Sequence, residues 1–535
     1  MDNTAIADRL DAFAALLDLA GASAFSIRAY RRAAELVRAT PAPVAELVRA
    51  GRVRELRGIG PGIERRLREL VETGDLAELR ELEAELAPEL VGVGRLAGVS
   101  APRMAAIGRS LGIRTVDELR AAAEDGRLAT VPGVGPKTAQ KLRAALGHSP
   151  RLRPPRALLL NRARAVVGSI AEALGGEPAG DPRRWKDASE RLAVVVRTRD
   201  PAAVLERLEA LPLVVSVVER AADRAVGVTV EGIPIEVVAA PPERYGTELF
   251  RATGPPELVA ELEPLPDAPD EEALLAALGL PFVPPELRDA GMATPPRLVA
   301  LDEIRGDLHV HTTWSDGKAS VLEMARAAQD LGYAYLAVCD HTRAVRVVPG
   351  LDADDLRRQG EEIAAANEQL APFRILRGAE CDILPDGSLD LPDDVLAELE
   401  WVQVSLHAGQ RAPRRELTAR VLEAMRHPAA RCLSHPTGRL INHRPPNALD
   451  LERVLEVAVE TGVAVEVNGL PDRLDLRDEH VRLAVAADVP VVCSTDAHSV
   501  RGLANMQLSV ATARRGGAGP VHVLNTRPLA EILRK

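Results

Sequence analysis

Aromatic side chains are almost absent: five Phe, three Trp and four Tyr amount to 2% of 535 residues. The cores must therefore be built from Leu, Val and Ala. Cysteine is equally scarce. The four, at 339, 381, 432 and 493, lie far apart with no CxxC pair, which excludes a disulfide framework or a thiolate zinc knuckle and fits a reducing, cytoplasmic setting. No apolar run approaches the roughly 20 residues of a membrane span. The opening MDNTAIADRLDAF carries acids where a secretory signal would carry bases, so an unexported chain with no membrane partner is expected. Lysine is nearly missing too, with five residues, at 137, 141, 186, 318 and 535, among 67 basic ones. A net charge of −11 excludes a uniformly basic nucleic-acid binder, yet residues 1–185 hold 29 bases against 23 acids and so run the other way.

The length predicts about three or four folding units. From residue 4 to about 150, apolar residues recur at three- and four-residue spacing with short Gly-containing breaks, the pattern of small helices. A Pro/Arg joint, HSPRLRPPR at 148–156, follows. Helical stretches then alternate with the β-branched runs LAVVVRT (192–198) and VGVTVEGIPIEVVAA (226–240), which reads as α+β. A stretch rich in Pro and acids leads to a linker at 286–305. From 306 onward seven apolar runs recur between helical segments: GDLHVH, AYLAVCDH, FRILRGAECDIL, WVQVSLH, ARCLSHP, GVAVEVN and VPVVCSTDAH. That alternation predicts parallel strands in an α/β barrel or wound sheet.

Six of these seven runs end in residues that bind metals. The set is His309, His311 and Asp316 from the first run and its loop, His341, Glu380, His407 and His435 from the next four, and Asp496 with His498 from the last. In parallel α/β folds the C-terminal strand ends converge on one face, so distant residues can meet there. His309/His311 and Asp496/His498 are i, i+2 pairs, which aim both side chains to one side of an extended chain. Six of the chain's eleven His belong to the set, too many for chance surface histidines. Nine nitrogen and oxygen donors exceed one ion's needs and imply two or three divalent ions of Mn, Zn or Fe type.

GDLHVHTTWSDG, CDHT, GAECDILPDGSLDLPD, SLHAG, SHPTGRL and STDAHS resemble the polymerase and histidinol phosphatase (PHP) domain, in the version fused to bacterial family X DNA polymerases. The resemblance covers about 230 residues. It implies a distorted (β/α)7 barrel with a trinuclear metal centre, its nine ligand positions filled by the nine residues named above.

Near the N-terminus, Leu56-Arg57-Gly58-Ile59-Gly60-Pro61-Gly62 and Val131-Pro132-Gly133-Val134-Gly135-Pro136-Lys137-Thr138 share one plan, a Gly-hydrophobic-Gly turn opening a helix. Such turns let backbone approach a phosphate beside free helix N–H donors. They resemble helix-hairpin-helix motifs that hold DNA backbone without reading sequence, with Gly58, Gly60, Gly133, Gly135, Lys137 and Lys141 as the contacting residues. The alternative is that these glycines merely cap helix–helix turns. A third copy, AGVSAPRMAAIGRSLGI, has Ser100 at the second Gly. Where eukaryotic relatives carry a Schiff-base Lys, this chain has Arg66, which is no amine nucleophile, so abasic-site lyase activity is not expected.

The middle segment AGDPRRWKDASERLAVVVRTRDPAAV resembles the family's nucleotidyltransferase motif, but Arg191 and Ala193 stand at the two metal-binding aspartates and Glu236 at the third carboxylate. Two Mg²⁺ ions need several carboxylates, so polymerase chemistry is expected to be lost. The expected organisation is a multidomain chain: an all-α helix-hairpin-helix region (1–150), an α+β nucleotidyltransferase-like domain (151–285), a linker (286–305) and a PHP barrel (306–535). The expected function is metal-dependent phosphodiester hydrolysis at DNA 3′ ends, a 3′–5′ exonuclease or end-processing role in repair. Lys318 and Arg439 are candidate phosphate contacts. A gap-filling polymerase, a small-molecule phosphatase and a non-catalytic DNA-end binder are the rivals.

Overall fold

The computed structural model describes residues 1–534 apart from 21, 39, 41, 57, 147–156, 294–295 and 347. The Pro/Arg joint at 148–156 and Arg57 of the first Gly turn thus lie outside the described residues. The chain divides into two compact units. One comprises Met1–Leu158, Arg162–Arg183 and Ala188–Leu280; the other comprises Pro281–Lys535 with the short segments Leu159–Asn161 and Arg184–Asp187.

The first unit opens with helices, as the three- and four-residue spacing predicts. In Pro61–Thr73 the apolar residues Ile63, Leu67 and Leu70 fall on one face and are buried, and Gly74, with φ +79°, ends the helix in the left-handed conformation that favours glycine. Val116–Glu124 is fixed at its start by a reciprocal cap between Thr115 and Glu118. Beyond residue 157 a five-stranded sheet forms from β1 (Glu177–Ala179), β2 (Leu192–Arg197), β3 (Val214–Arg220), β4 (Arg224–Thr229) and β5 (Pro234–Ala240), in the order β1-β2-β5-β4-β3. Only β2 and β5 run parallel.

The second unit is a nearly closed, all-parallel barrel of seven strands in sequence order: β6 (Gly306–Val310), β7 (Tyr335–Val338), β8 (Arg374–Asp382), β9 (Trp401–Ser405), β10 (Cys432–Leu433), β11 (Ala464–Asn468) and β12 (Val491–Ser494). A bridge between Val310 and Ala497 joins the first strand to the last. One side chain from each strand, Leu308, Ala337, Leu376, Trp401, Cys432, Ala464 and Val492, enters a single apolar cluster. Since strand side chains alternate with period two, the next positions on the same face in the last four strands are Gln403, Ser434, Glu466 and Ser494, all buried and all polar. The barrel interior therefore changes from oil to polar groups toward the C-terminal strand ends.

Residues 286–305 differ from the expected linker. Arg514 pairs with Glu286, Val299 N–H donates to the Ala518 carbonyl, and Arg288, Val299 and Ile304 are buried. Its buried apolar residues Val299 and Ile304 fasten this stretch into the barrel unit's core.

Candidate metal centre

The structure brings all nine candidate ligands together. Donor atoms of His311, Asp316, His341 and His498 lie within 4.8 Å of one another; so do those of His309, His311 and Asp496, and those of His341, Glu380 and His407. His435 Nε2 reaches Glu380 Oε1 at 2.9 Å. Glu380 and the shared histidines make the three clusters contiguous.

Backbone geometry aims these side chains. His435 and Asp496 take positive φ values of 23° and 52°, conformations that L-residues adopt at a cost and that recur at functional sites. Buried partners then orient the rings and carboxylates. His309 Nδ1 is 2.6 Å from Glu466 Oε1, His407 Nδ1 is 3.3 Å from Asp382 Oδ1, and Asn468 Nδ2 donates to Asp496 Oδ2 at 3.0 Å. Such contacts fix imidazole tautomers and raise ligand basicity.

Some donors meet one another, and others are left without a hydrogen bond among the described residues. His309 Nε2 and His311 Nε2 approach to 3.2 Å. His341 Nδ1 is 2.8 Å from Glu380 Oε2, yet both atoms, with Nδ1 of His311 and of His435, are buried without a hydrogen bond. Buried polar atoms are rarely left so. Lone pairs gathered around common points are the requirement of a cation site, and an imidazole–carboxylate set without thiolate fits divalent metals.

The electrostatics are those of a buried anionic pit. Burial opposes charge on His309, but Glu466, Asp496 and Glu380 outweigh it and hold its pKa well above the ordinary value. Against the same opposition, Glu380 lifts His407 to about 10, and Asp316 and Asp496 lift His498 to about 9. His311 falls to about 4 through burial and the charge of His341. Burial notwithstanding, the neighbouring imidazoles keep Asp316 at about 2.

The two candidate phosphate cations fare differently. Lys318 is exposed, its backbone N–H tied to the His498 carbonyl. Arg439 is buried, with Nη1 2.7 Å from Asp187 Oδ2 and Nη2 on the Leu474 carbonyl, so its guanidinium is already engaged. Sequence reasoning missed Glu466 and Asp382. An acid inside an otherwise apolar strand was the available signal for Glu466.

In the other unit, Gly58 and Gly133 have φ of +111° and +82°, where only glycine is unstrained, while Gly60 caps Pro61–Thr73 with ordinary angles. A Cβ added at Gly60 or Gly135 would meet nothing within 4 Å. Packing within the protein therefore does not demand glycine at either place. Lys137 and Lys141 are exposed beside the second turn. Arg66 is held by Glu69 and Glu78 and lies over the Phe13 ring.

The three polymerase positions also meet. Ala193 is the register partner of Glu236 on β2 and β5, and Arg191 and Arg224 each approach a Glu236 oxygen to 3.7 Å. One carboxylate between two guanidiniums does not fit a pair of Mg²⁺ ions. Arg183, kept from the motif, is bound by both oxygens of Glu271 at 2.9 and 2.8 Å.

Family models match a helix-hairpin-helix domain over residues 1–76, a SAM-like helix-hairpin-helix tandem over 95–147 and a PHP domain over 307–469. Two proteins named "Probable phosphatase" are similar over part of the chain. That of Acetivibrio thermocellus is 29% identical over 36% of this chain and 78% of its own, and that of Syntrophotalea carbinolica 28% over 41% and 90%. The "DNA polymerase/3'-5' exonuclease PolX" of Bacillus subtilis is 32% identical over 98% of this chain and 97% of its own length. With that likeness running through the helical front, the sheet domain and the barrel alike, the chain belongs to the bacterial family X DNA polymerases that carry a PHP domain.

Proposed function

We propose that this chain is a metal-dependent phosphodiesterase that removes nucleotides from DNA 3′ ends, and that its nucleotidyltransferase-like domain no longer polymerises. The observation that carries the reading is the contrast between the two candidate metal sites. Eight residues cluster in the barrel with His435 beside Glu380, whereas in the sheet domain Arg191 and Arg224 bracket Glu236, the one carboxylate at the three matched polymerase positions. The name of the Bacillus subtilis relative includes both activities, and this contrast favours hydrolysis for this chain.

His309, His311, Asp316, His341, Glu380, His407, His435, Asp496 and His498 would hold two or three ions of Mn, Zn or Fe type. When bound, these would supply Lewis-acid activation of water and neutralisation of charge developing on the phosphate and the leaving oxygen. The chain's own work is to position them. Glu466 and Asp382 fix the faces that His309 and His407 present, and Asn468 holds one oxygen of Asp496 so that the other faces His311 at 3.0 Å. Lys318, exposed beside Asp316, is placed to steer a substrate phosphate. The Gly turns at 58–60 and 133–135 would grip duplex backbone without reading sequence.

The test is digestion of a 5′-labelled primer–template with metal analysis of the same preparation. A ladder of shortened labelled primer is expected from protein containing two or three ions per chain. An uncut primer with a hydrolysed sugar phosphate would favour a small-molecule phosphatase; the shorter relatives are named only as probable phosphatases.

A further inference from the structure

The loop after β11 carries a cation that the ligand set does not explain. Arg473, in NGLPDRLDL, places Nε 3.8 Å from Oδ2 of Asp496, and its side chain is only 18% exposed. Its Nη1 is buried with no hydrogen-bond partner among the described residues. At 3.8 Å the ion pair is too long to be a hydrogen bond, so the carboxylate does not satisfy the guanidinium. Arg420 of the same unit is placed differently: all three of its nitrogens meet backbone carbonyls.

The turn that presents Arg473 is anchored on both sides. Leu470 N–H donates to Asn468 Oδ1, Arg473 and Leu474 N–H both donate to the Leu470 carbonyl, and Ile441 N–H donates to the Asp472 carbonyl. The guanidinium is therefore held against the pit by the same Asn468 that holds Asp496. A cation at the rim of a divalent-metal site is tolerable when an anion with several oxygens lies between them, and a planar guanidinium matches phosphate geometry. Nearby, burial and then the charge of Arg473 lower the pKa of Arg444, with Arg411 adding to the effect.

We propose that Arg473 binds the substrate phosphate, donating from Nη1 to a non-bridging oxygen while the ligand cluster around Asp496 engages the others. This rests on the phosphodiesterase reading and names the residue that receives the phosphate.

Inorganic phosphate is the probe, titrated calorimetrically into the full-length Mn²⁺-loaded chain. Wild type should bind it, and Arg473→Ala should bind about tenfold more weakly or worse while retaining wild-type metal content. In hydrolysis of bis(p-nitrophenyl) phosphate the same variant should raise KM. Equal phosphate affinity in the two proteins, or no binding by wild type, overturns the proposal. So does weakened binding that tracks loss of metal, since Arg473 would then only brace Asp496. If Arg473→Ala does not fold, Arg473→Gln replaces it with the same expectations and the same overturning results. Phosphate binding lost in the variant, in a wild-type protein that cleaves no phosphodiester, supports this site while removing the hydrolase reading.

Discussion

His309 Nδ1 donates to Glu466 Oε1 across 2.6 Å, between side chains with no exposure to solvent. The carboxylate also accepts from Ser494 Oγ and from the His435 N–H, so one buried acid fixes the approach of two candidate ligands. Glu466→Gln keeps the shape but removes the charge. It should lower metal affinity and hydrolysis about 10–100-fold, read as metal retained after dialysis and as rate. Unchanged retention would show that His309 needs no such partner.

His341→Ala together with Asp496→Ala removes a member from every one of the three clusters. Metal content should collapse and hydrolysis disappear. Full activity in this double variant would sink the site assignment.

No templated incorporation is expected, with Mg²⁺ or Mn²⁺, because Arg191 and Arg224 bracket Glu236. Primer extension checks this. Extension by wild type that vanishes in Glu236→Ala would show that the sheet domain still gathers metal.

Gly60→Val and Gly135→Val meet no protein atom at Cβ, so the double variant should melt like wild type. It should nevertheless bind duplex DNA more weakly, because the added side chains block backbone approach. Wild-type binding itself should fade steeply with salt. Residues 1–150 carry 22 bases against 20 acids, so the contacts must come from turns and helix ends rather than a basic field. Long DNA digested by the double variant at the wild-type rate would make these turns structural caps.

The pH dependence of the chelator-treated protein follows from the imidazoles and Asp316. His407 at about 10 and His498 at about 9 lie above the ordinary 6.5. Their contribution to stability is complete below 6.5 and is lost as pH rises through 9 and 10. Asp316 at about 2, below its ordinary 3.8, contributes above 3.8 and loses this as pH falls through 2. Thermal stability of the metal-free chain should therefore decline from pH 6.5 to 10, and Mn²⁺ added at neutral pH should release protons from His407 and His498. A melting temperature that climbs over that range, or uptake without acid release, contradicts these assignments.

The nine ligand candidates were legible because they stand in, or in the loop just after, six of the apolar runs, where a parallel barrel gathers side chains whatever their distance in sequence. Glu466 was not legible in that way. It lies within GVAVEVN, a run read as having no ligand at its end, and only the period-two alternation of a barrel strand reveals that it points inward beside Ser434 and Ser494. Arg439 and Arg473 illustrate a second limit. Only packing shows that Asp187 engages the first, and that the second, far from any ligand candidate in sequence, lies by Asp496 with Nη1 left without a hydrogen bond among the described residues. Strand β3 was missed because two register shifts against β4 disturb the pairing of VVSVVER, and the apolar anchors of 286–305 were masked by its prolines.

The Val310–Ala497 bridge sets first and last strands side by side, and with them His309 and His311 against Asp496 and His498. A ribosome that has reached residue 490 has made seven of the nine donors, but two of the three clusters still lack a member. A chain stopped there should cut no phosphodiester, and a nuclease assay on it would read this directly. The seam of the barrel thereby acts as a timer on translation: the front helices can be made and folded well before the same molecule is able to degrade DNA.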